Sequence, residues 1–248
     1  WVSQSDLSPT QFTKGLQTCV AASKECKIFG AIHGFYGIPM KRPITDAGCF
    51  FSFVIRNPFD AVNSMFCDLM KSRFDGLNNQ VQVFDFINQI DIDSKKISVS
   101  HVVIEKGKSW QPNDFRPIVD SEHALKDEES LIIKTFCDAA AHTIFYNFVN
   151  WNFAGRDFAI KFEEIVSSSE YFKSDVLPKI NPGLSSSKFY LEAIFAIGRY
   201  NSHANVDEDS KPVLKNWLGF QRRIFDAVLN INDINLKPFY EDMGYTFE

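Results

Sequence analysis

A chain of 248 residues, 45% hydrophobic and modest in Gly and Pro, is long enough to bury the core of one large α/β domain, and its composition excludes a disordered chain. Its net charge of −5 excludes a broad attraction to nucleic acid or to an anionic membrane surface, so an anionic ligand needs a local basic pocket. No apolar run reaches the length of a membrane span and no signal-peptide pattern opens the chain; the five cysteines are scattered without a CxxC pair, which implies a reduced, cytoplasmic protein without a structural metal.

In chain order, Ser8-Pro9-Thr10-Gln11 reads as an N-cap, a first helical residue and a capping-box Gln, ahead of a helix carrying Phe12, Leu16 and Cys19. Lys27–Ile32 reads as a core strand that ends at His33. A histidine there suits a general base, because an unperturbed pKa of about 6.5 leaves a neutral imidazole at neutral pH; the alternative is a hydrogen-bonded structural residue. Gly34–Gly48 is Gly- and Pro-bearing loop whose Lys41 and Arg42 are either the edge of an anion pocket or plain surface charge.

Phe50–Ile55 is an apolar run that suits a strand buried on both faces, with Arg56 at its end. Asn57-Pro58-Phe59-Asp60 then spells a helix start, and Phe59, Val62, Phe66 and Leu69 mark its buried stripe. Ser64 falls off that stripe, on the flank it shares with Asn57 and Asp60. The N–H groups of the helix start and the guanidinium of Arg56 together make an anion site, the alternative being an ordinary capped helix with Arg56 in a salt bridge.

Beyond this point the signals thin. Val81–Ile92 mixes helical and strand patterns, Ile97–Ile104 reads as a strand, and Trp110-Gln111-Pro112 and Lys126–Ser130 read as loop and helix start. A helical pattern runs from Leu131 to Trp151 through Ile132, Phe136 and Ala140, with His142 on its core or flank. Phe158–Phe162 is a second buried strand, leading into Glu163-Glu164, and Ser185–Ser187 with Lys188 opens another helix. Lys215-Asn216-Trp217 precedes an amphipathic stretch at Phe220–Leu229, and Met243-Gly244-Tyr245 closes the chain.

Arg56-Asn57-Pro58-Phe59-Asp60-Ala61-Val62-Asn63-Ser64 resembles the 3′-phosphate-binding motif of sulfotransferases that use 3′-phosphoadenosine 5′-phosphosulfate (PAPS), a strand followed by Arg-Asp-Pro-x-Asp-x-x-x-Ser. Asn57 replaces the motif's first Asp and keeps the capping chemistry. The segments at Phe162-Glu163-Glu164-Ile165, Lys215-Asn216-Trp217 and Met243-Gly244-Tyr245 are similar to further family elements in the same order. The resemblance implies a single α/β domain over 1–248, with a mostly parallel sheet flanked by helices in a P-loop-like sulfotransferase fold and an acceptor-binding or lid region at 71–130. It also implies sulfuryl transfer from PAPS to a hydroxyl or amine acceptor, a small molecule or a glycan or peptide, with no metal. Arg56 and Ser64 would hold the 3′-phosphate, and Lys215 and Lys211 are weaker basic candidates beside them. Ser8, Thr10 and Gln11 at the first helix start would receive the 5′-phosphosulfate, and His33 would act as base. The family's phosphosulfate loop carries a Lys and a Gly where this chain has Leu7 and Pro9, leaving Lys14, Lys41 or Arg42 as substitutes. Two other readings stay open: a relative that binds the nucleotide without catalysis, and another nucleotide-dependent phosphotransferase, although the chain has no GxxxxGK[ST] loop.

Overall fold

The computed structural model describes residues 53–90, 92–100, 112–121, 124–154, 159–167, 170, 174–175, 217–231 and 234–247. They form a mixed α/β architecture with six α-helices and three two-stranded sheets, one of them parallel. The chain divides into two compact units, one of Trp1–Ile55 with Asn147–Glu192 and the other of Arg56–Tyr146 with Ala193–Glu248. The expected elements at Ser8, Lys27–Ile32 and Ser185–Lys188 lie outside the described residues.

In the first unit, β1 (Phe53–Ile55) pairs in parallel with β4 (Ala159–Lys161), in the register Phe53↔Ala159, Val54↔Ile160 and Ile55↔Lys161. Both strands fall inside runs legible as buried strands, and their separation along the chain is what a parallel pair requires of its crossover. Ile55 and Ile160 are buried, but Val54 is 52% exposed, so β1 is not buried on both faces as its apolar run suggested. Helix α4 (Phe162–Ser167) follows β4 at once, one residue earlier than the strand pattern suggested, with Glu163 and Glu164 in the first turn where the helix dipole favours them. Lys161 and Glu164 stand 3.5 Å apart.

The second unit is mainly helical. Helix α1 (Pro58–Arg73) starts and stops on local chemistry: Asn57 caps it, Pro58 takes the first position, Asp60 lies in the first turn, and Lys71 and Arg73 lie in the last. Phe74 N–H donates to Met70 O at 2.9 Å, and Gly76 follows at φ 87. Nothing stands within 4 Å of where a side chain would begin at Gly76, so backbone conformation rather than crowding selects glycine there. Helix α2 (Gln80–Gln89) resolves the ambiguous Val81–Ile92 stretch. Asn79 Oδ1 accepts from Gln82 N–H at 2.9 Å while Gln82 Oε1 accepts from Asn78 N–H at 2.8 Å, and Val83 and Ile87 bury one face.

β2 (Ile97–Ser100) and β3 (Ile118–Ser121) pair antiparallel, Ile97 opposite Ser121 and Ser100 opposite Ile118. Helix α3 (Asp127–Ala154) begins inside the acidic run, with Asp127, Glu128 and Glu129 in its first turn. Glu129 Oε2 accepts the N–H of Lys126 at 3.1 Å, half of a capping box. The helix buries Ile132, Ile133, Phe136, Ala139, Ala140, Ala141, Ile144 and Phe145, close to the expected stripe. Halfway along, Asp138 meets two arginines: its Oδ2 is 2.9 Å from Arg73 Nη2 and its Oδ1 is 3.2 Å from Arg116 Nε. Arg73 Nη1 also donates to Thr135 Oγ1 at 2.8 Å.

Helix α5 (Gly219–Leu229) is followed by a tight hairpin of β5 (Asn230–Ile231) and β6 (Ile234–Asn235), then by α6 (Lys237–Glu241). The end of α6 explains Met243-Gly244-Tyr245. Tyr245 N–H donates to Tyr240 O at 3.1 Å and Gly244 N–H to Glu241 O at 2.8 Å, with Gly244 at φ 82, the Schellman arrangement that needs a left-handed residue. Among the described residues no helix is long and apolar enough to cross a membrane.

Candidate functional site

The candidate site is the start and middle of α1 together with the segment that enters α5, all within the second unit. Asn57 is the N-cap that its position in the sequence implies, but its side chain changes what the helix start can offer. Asn57 Oδ1 accepts from Phe59 N–H at 3.0 Å and from Asp60 N–H at 3.5 Å, and Asn57 O accepts from Ala61 N–H at 2.9 Å. Pro58 has no N–H to give. The backbone donors expected to hold an anion here are therefore already engaged, and that part of the sequence expectation is corrected. Any anion beside this turn is left to side chains and to the residual helix dipole.

Arg56 and Ser64, the two residues expected to grip one phosphate, are both half-buried and so stay open on one side to solvent. Ser64 lies between Asp60 and Asp68 on one helix flank, each four residues away. Asp68 is held by Lys71 at 2.7 Å, which offsets its charge. The buried stripe of α1 is wider than the sequence suggests. Phe59, Val62 and Phe66 are buried as expected, whereas Leu69 is half-buried, and Asn63, Cys67 and Met70 complete the face.

Asn63 is the residue that sequence reasoning missed. It is 1% exposed, and its Oδ1 accepts the indole N–H of Trp217 at 2.6 Å. Trp217 is in turn enclosed edge-on by Phe59 at 5.5 Å, Phe136 at 5.3 Å and Phe225 at 5.1 Å. Such edge-to-face packing adds about 0.5–1.5 kcal/mol per pair beyond burial, and a buried indole N–H needs an acceptor. The bond ties the entry to α5 onto α1 at the position beside Ser64. A buried Asn on an otherwise apolar stripe was a visible oddity in the sequence, but its partner lies 154 residues away.

His33, Ser8, Thr10, Gln11 and Lys215 lie outside the described residues, so of the expected site the structure describes Arg56, Ser64 and Trp217, and the contact it shows among these stretches is that of Trp217 with Asn63, next to Ser64 in sequence. Among the described residues no group of three or more His, Cys, Asp or Glu side chains is placed to hold a metal ion. No protein-family model matches the chain, and neither a curated protein nor a solved structure matches it.

Proposed function

We propose that the protein transfers a sulfuryl group from PAPS to a hydroxyl or amine acceptor, within a P-loop-like sulfotransferase fold. One observation carries this reading beyond the motif itself. The hydrogen bond from Trp217 to Asn63 joins Arg56–Ser64, which resembles the 3′-phosphate motif, to the end of Lys215-Asn216-Trp217, which is similar to a further family element far away in sequence. Arg56 would supply a planar fork to the phosphate and Ser64 a hydroxyl donor, with Lys215 as a further cation. Bound PAPS supplies an activated sulfuryl group whose leaving group is a phosphate. His33 would take the acceptor's proton as its oxygen or nitrogen bonds to sulfur and the bridging S–O bond breaks, releasing adenosine 3′,5′-bisphosphate. Most of the rate enhancement in such a transfer comes from alignment and from neutralising charge on the departing phosphate.

Leu7 and Pro9, in place of a loop Lys and Gly, favour the second reading, a nucleotide-binding relative that does not catalyse. One pair of experiments separates the readings. Calorimetric titration with adenosine 3′,5′-bisphosphate is expected to show binding that Arg56→Ala weakens by about 2–3 kcal/mol, the scale of a charge-assisted hydrogen bond. Unchanged affinity in Arg56→Ala refutes both nucleotide readings. Given binding, transfer of labelled sulfate from PAPS to a panel of hydroxyl and amine acceptors selects the enzyme, and its absence selects the silent binder. A thermal shift with ATP but none with adenosine 3′,5′-bisphosphate selects a phosphotransferase.

A further inference from the structure

Arg223, Asp226, Ala227 and Asn230 recur at i, i+3, i+4 and i+7, so they form one flank of α5 and its C-cap. That flank borders a cleft of about 450 Å³ whose other side is β2, with Ser98 and Val99 in its lining. Ser98, Arg223 and Asp226 are exposed, so the cleft is open to solvent. Its volume is within the range of small-ligand clefts, roughly 300–1,000 Å³.

The charges on this flank do not close on each other. An arginine three residues before an aspartate on a helix is placed to pair with it. Instead Arg223 Nη1 donates to Ile97 O at 2.7 Å, and Asp226 Oδ1 is drawn to Lys237 Nζ at 3.2 Å. Because Nη1 is the nitrogen engaged by the strand, the side-on edge of the guanidinium, Nε with Nη2, is left for a planar oxyanion. Asp226 keeps Oδ2. Asn230 Nδ2 donates to Asp226 O at 2.7 Å, which fixes its amide and leaves Oδ1 as an acceptor. The cleft therefore offers a cationic fork and, about one helical turn away, two acceptors, with apolar surface from Val99 and Ala227. The complement of that pattern is a molecule with a carboxylate and an ammonium close together on a small apolar body.

We infer that this cleft binds a free aliphatic α-amino acid, its carboxylate on the Nε–Nη2 edge of Arg223 and its ammonium on Asp226 Oδ2 and Asn230 Oδ1. The inference stands apart from the PAPS reading, since it needs only residues of β2 and of α5 with its cap. Calorimetric titration with L-leucine is expected to show saturable binding. Two partial ligands, 4-methylpentanoate without the amine and 3-methylbutylamine without the carboxylate, are each expected to bind at least about tenfold more weakly, since each drops one charge-assisted contact. Three variants test the residues. Arg223→Lys keeps the charge but loses the fork, Asp226→Asn removes the charge that meets the ammonium, and Ala227→Leu fills the cleft with a good helix former and alters no charge. Each is expected to stay folded by circular dichroism and to lose at least about tenfold in L-leucine affinity. Lys95→Ala, at an exposed cation outside the cleft lining, is expected to bind as the wild type does. No saturable heat with L-leucine, equal binding of either partial ligand, full affinity in any of the three variants, or an equal loss in Lys95→Ala overturns the inference.

Discussion

Trp217 Nε1 donates to Asn63 Oδ1 at 2.6 Å across a fully enclosed aromatic cluster, and this one bond sets how α1 meets the entry to α5. In a low-dielectric core such a bond is short and directional, so it fixes register as well as contributing stability. Replacing Asn63 by Leu takes the acceptor from a buried indole, which is expected to cost about 1–3 kcal/mol in urea unfolding. Trp217→Phe is expected to cost at least as much, because indole packing is lost too. The double variant should lose less than the sum, since both changes break one interaction. Strict additivity would show that the bond is absent in solution.

The start of α5 predicts an inversion of sign. A Cβ at Gly219 would lie 3.0 Å from both Cβ and Oγ of Ser94, the residue that caps this helix through Phe220 N–H. Gly219→Ala therefore requires Ser94 to give by a few tenths of an ångström, which strains its cap, with an expected loss of about 0.5–2 kcal/mol. In a Ser94→Gly background those are the atoms that are gone. There the same Gly219→Ala change should stabilise, by up to about 1 kcal/mol, because Ala is the better helix former. Thermal unfolding of the four proteins decides it, and destabilisation in both backgrounds would refute the close approach.

Cys67 and Cys137 are buried, and burial pushes each thiol up to about 12 from an ordinary value of 9.0, against the smaller opposing pull of Lys71 on Cys67 and of Arg116 on Cys137. Both should resist alkylation at pH 8 in the folded protein, because the thiolate is the reactive form. Peptide-resolved mass spectrometry after iodoacetamide treatment checks this, and rapid labelling of either would contradict it. The linkage has a definite sign. Above about pH 9 the unfolded thiols lose protons that the folded ones keep, so their contribution to stability is intact below pH 9 and is lost as pH rises towards about 12.

What could be read from the chain was what local chemistry decides. Asn57-Pro58 at the start of α1, the acidic start of α3 and the runs holding Phe53–Ile55 and Ala159–Lys161 all carry their own signals, and each forms the expected type of element. Val81–Ile92 was ambiguous because its apolar spacing suits either period, and the reciprocal bonds of Asn79 and Gln82 settle it as a helix. What stayed hidden depends on distant partners. Asn63 looks out of place until Trp217 arrives, and Ser94 looks like loop until it caps a helix 126 residues further on. Asn57 shows the converse limit: the better the cap it makes, the fewer donors it leaves for the anion that its sequence context suggested.

The bridge at Asp138 makes tolerance to mutation lopsided. Loss of Arg73 or of Arg116 still leaves the carboxylate one cation, although loss of Arg73 also removes its bond to Thr135. Loss of Asp138 unfastens both ion pairs at once and sets two like charges facing each other near the middle of α3. Drift at this trio should therefore be borne by its arginines, with the acid held constant.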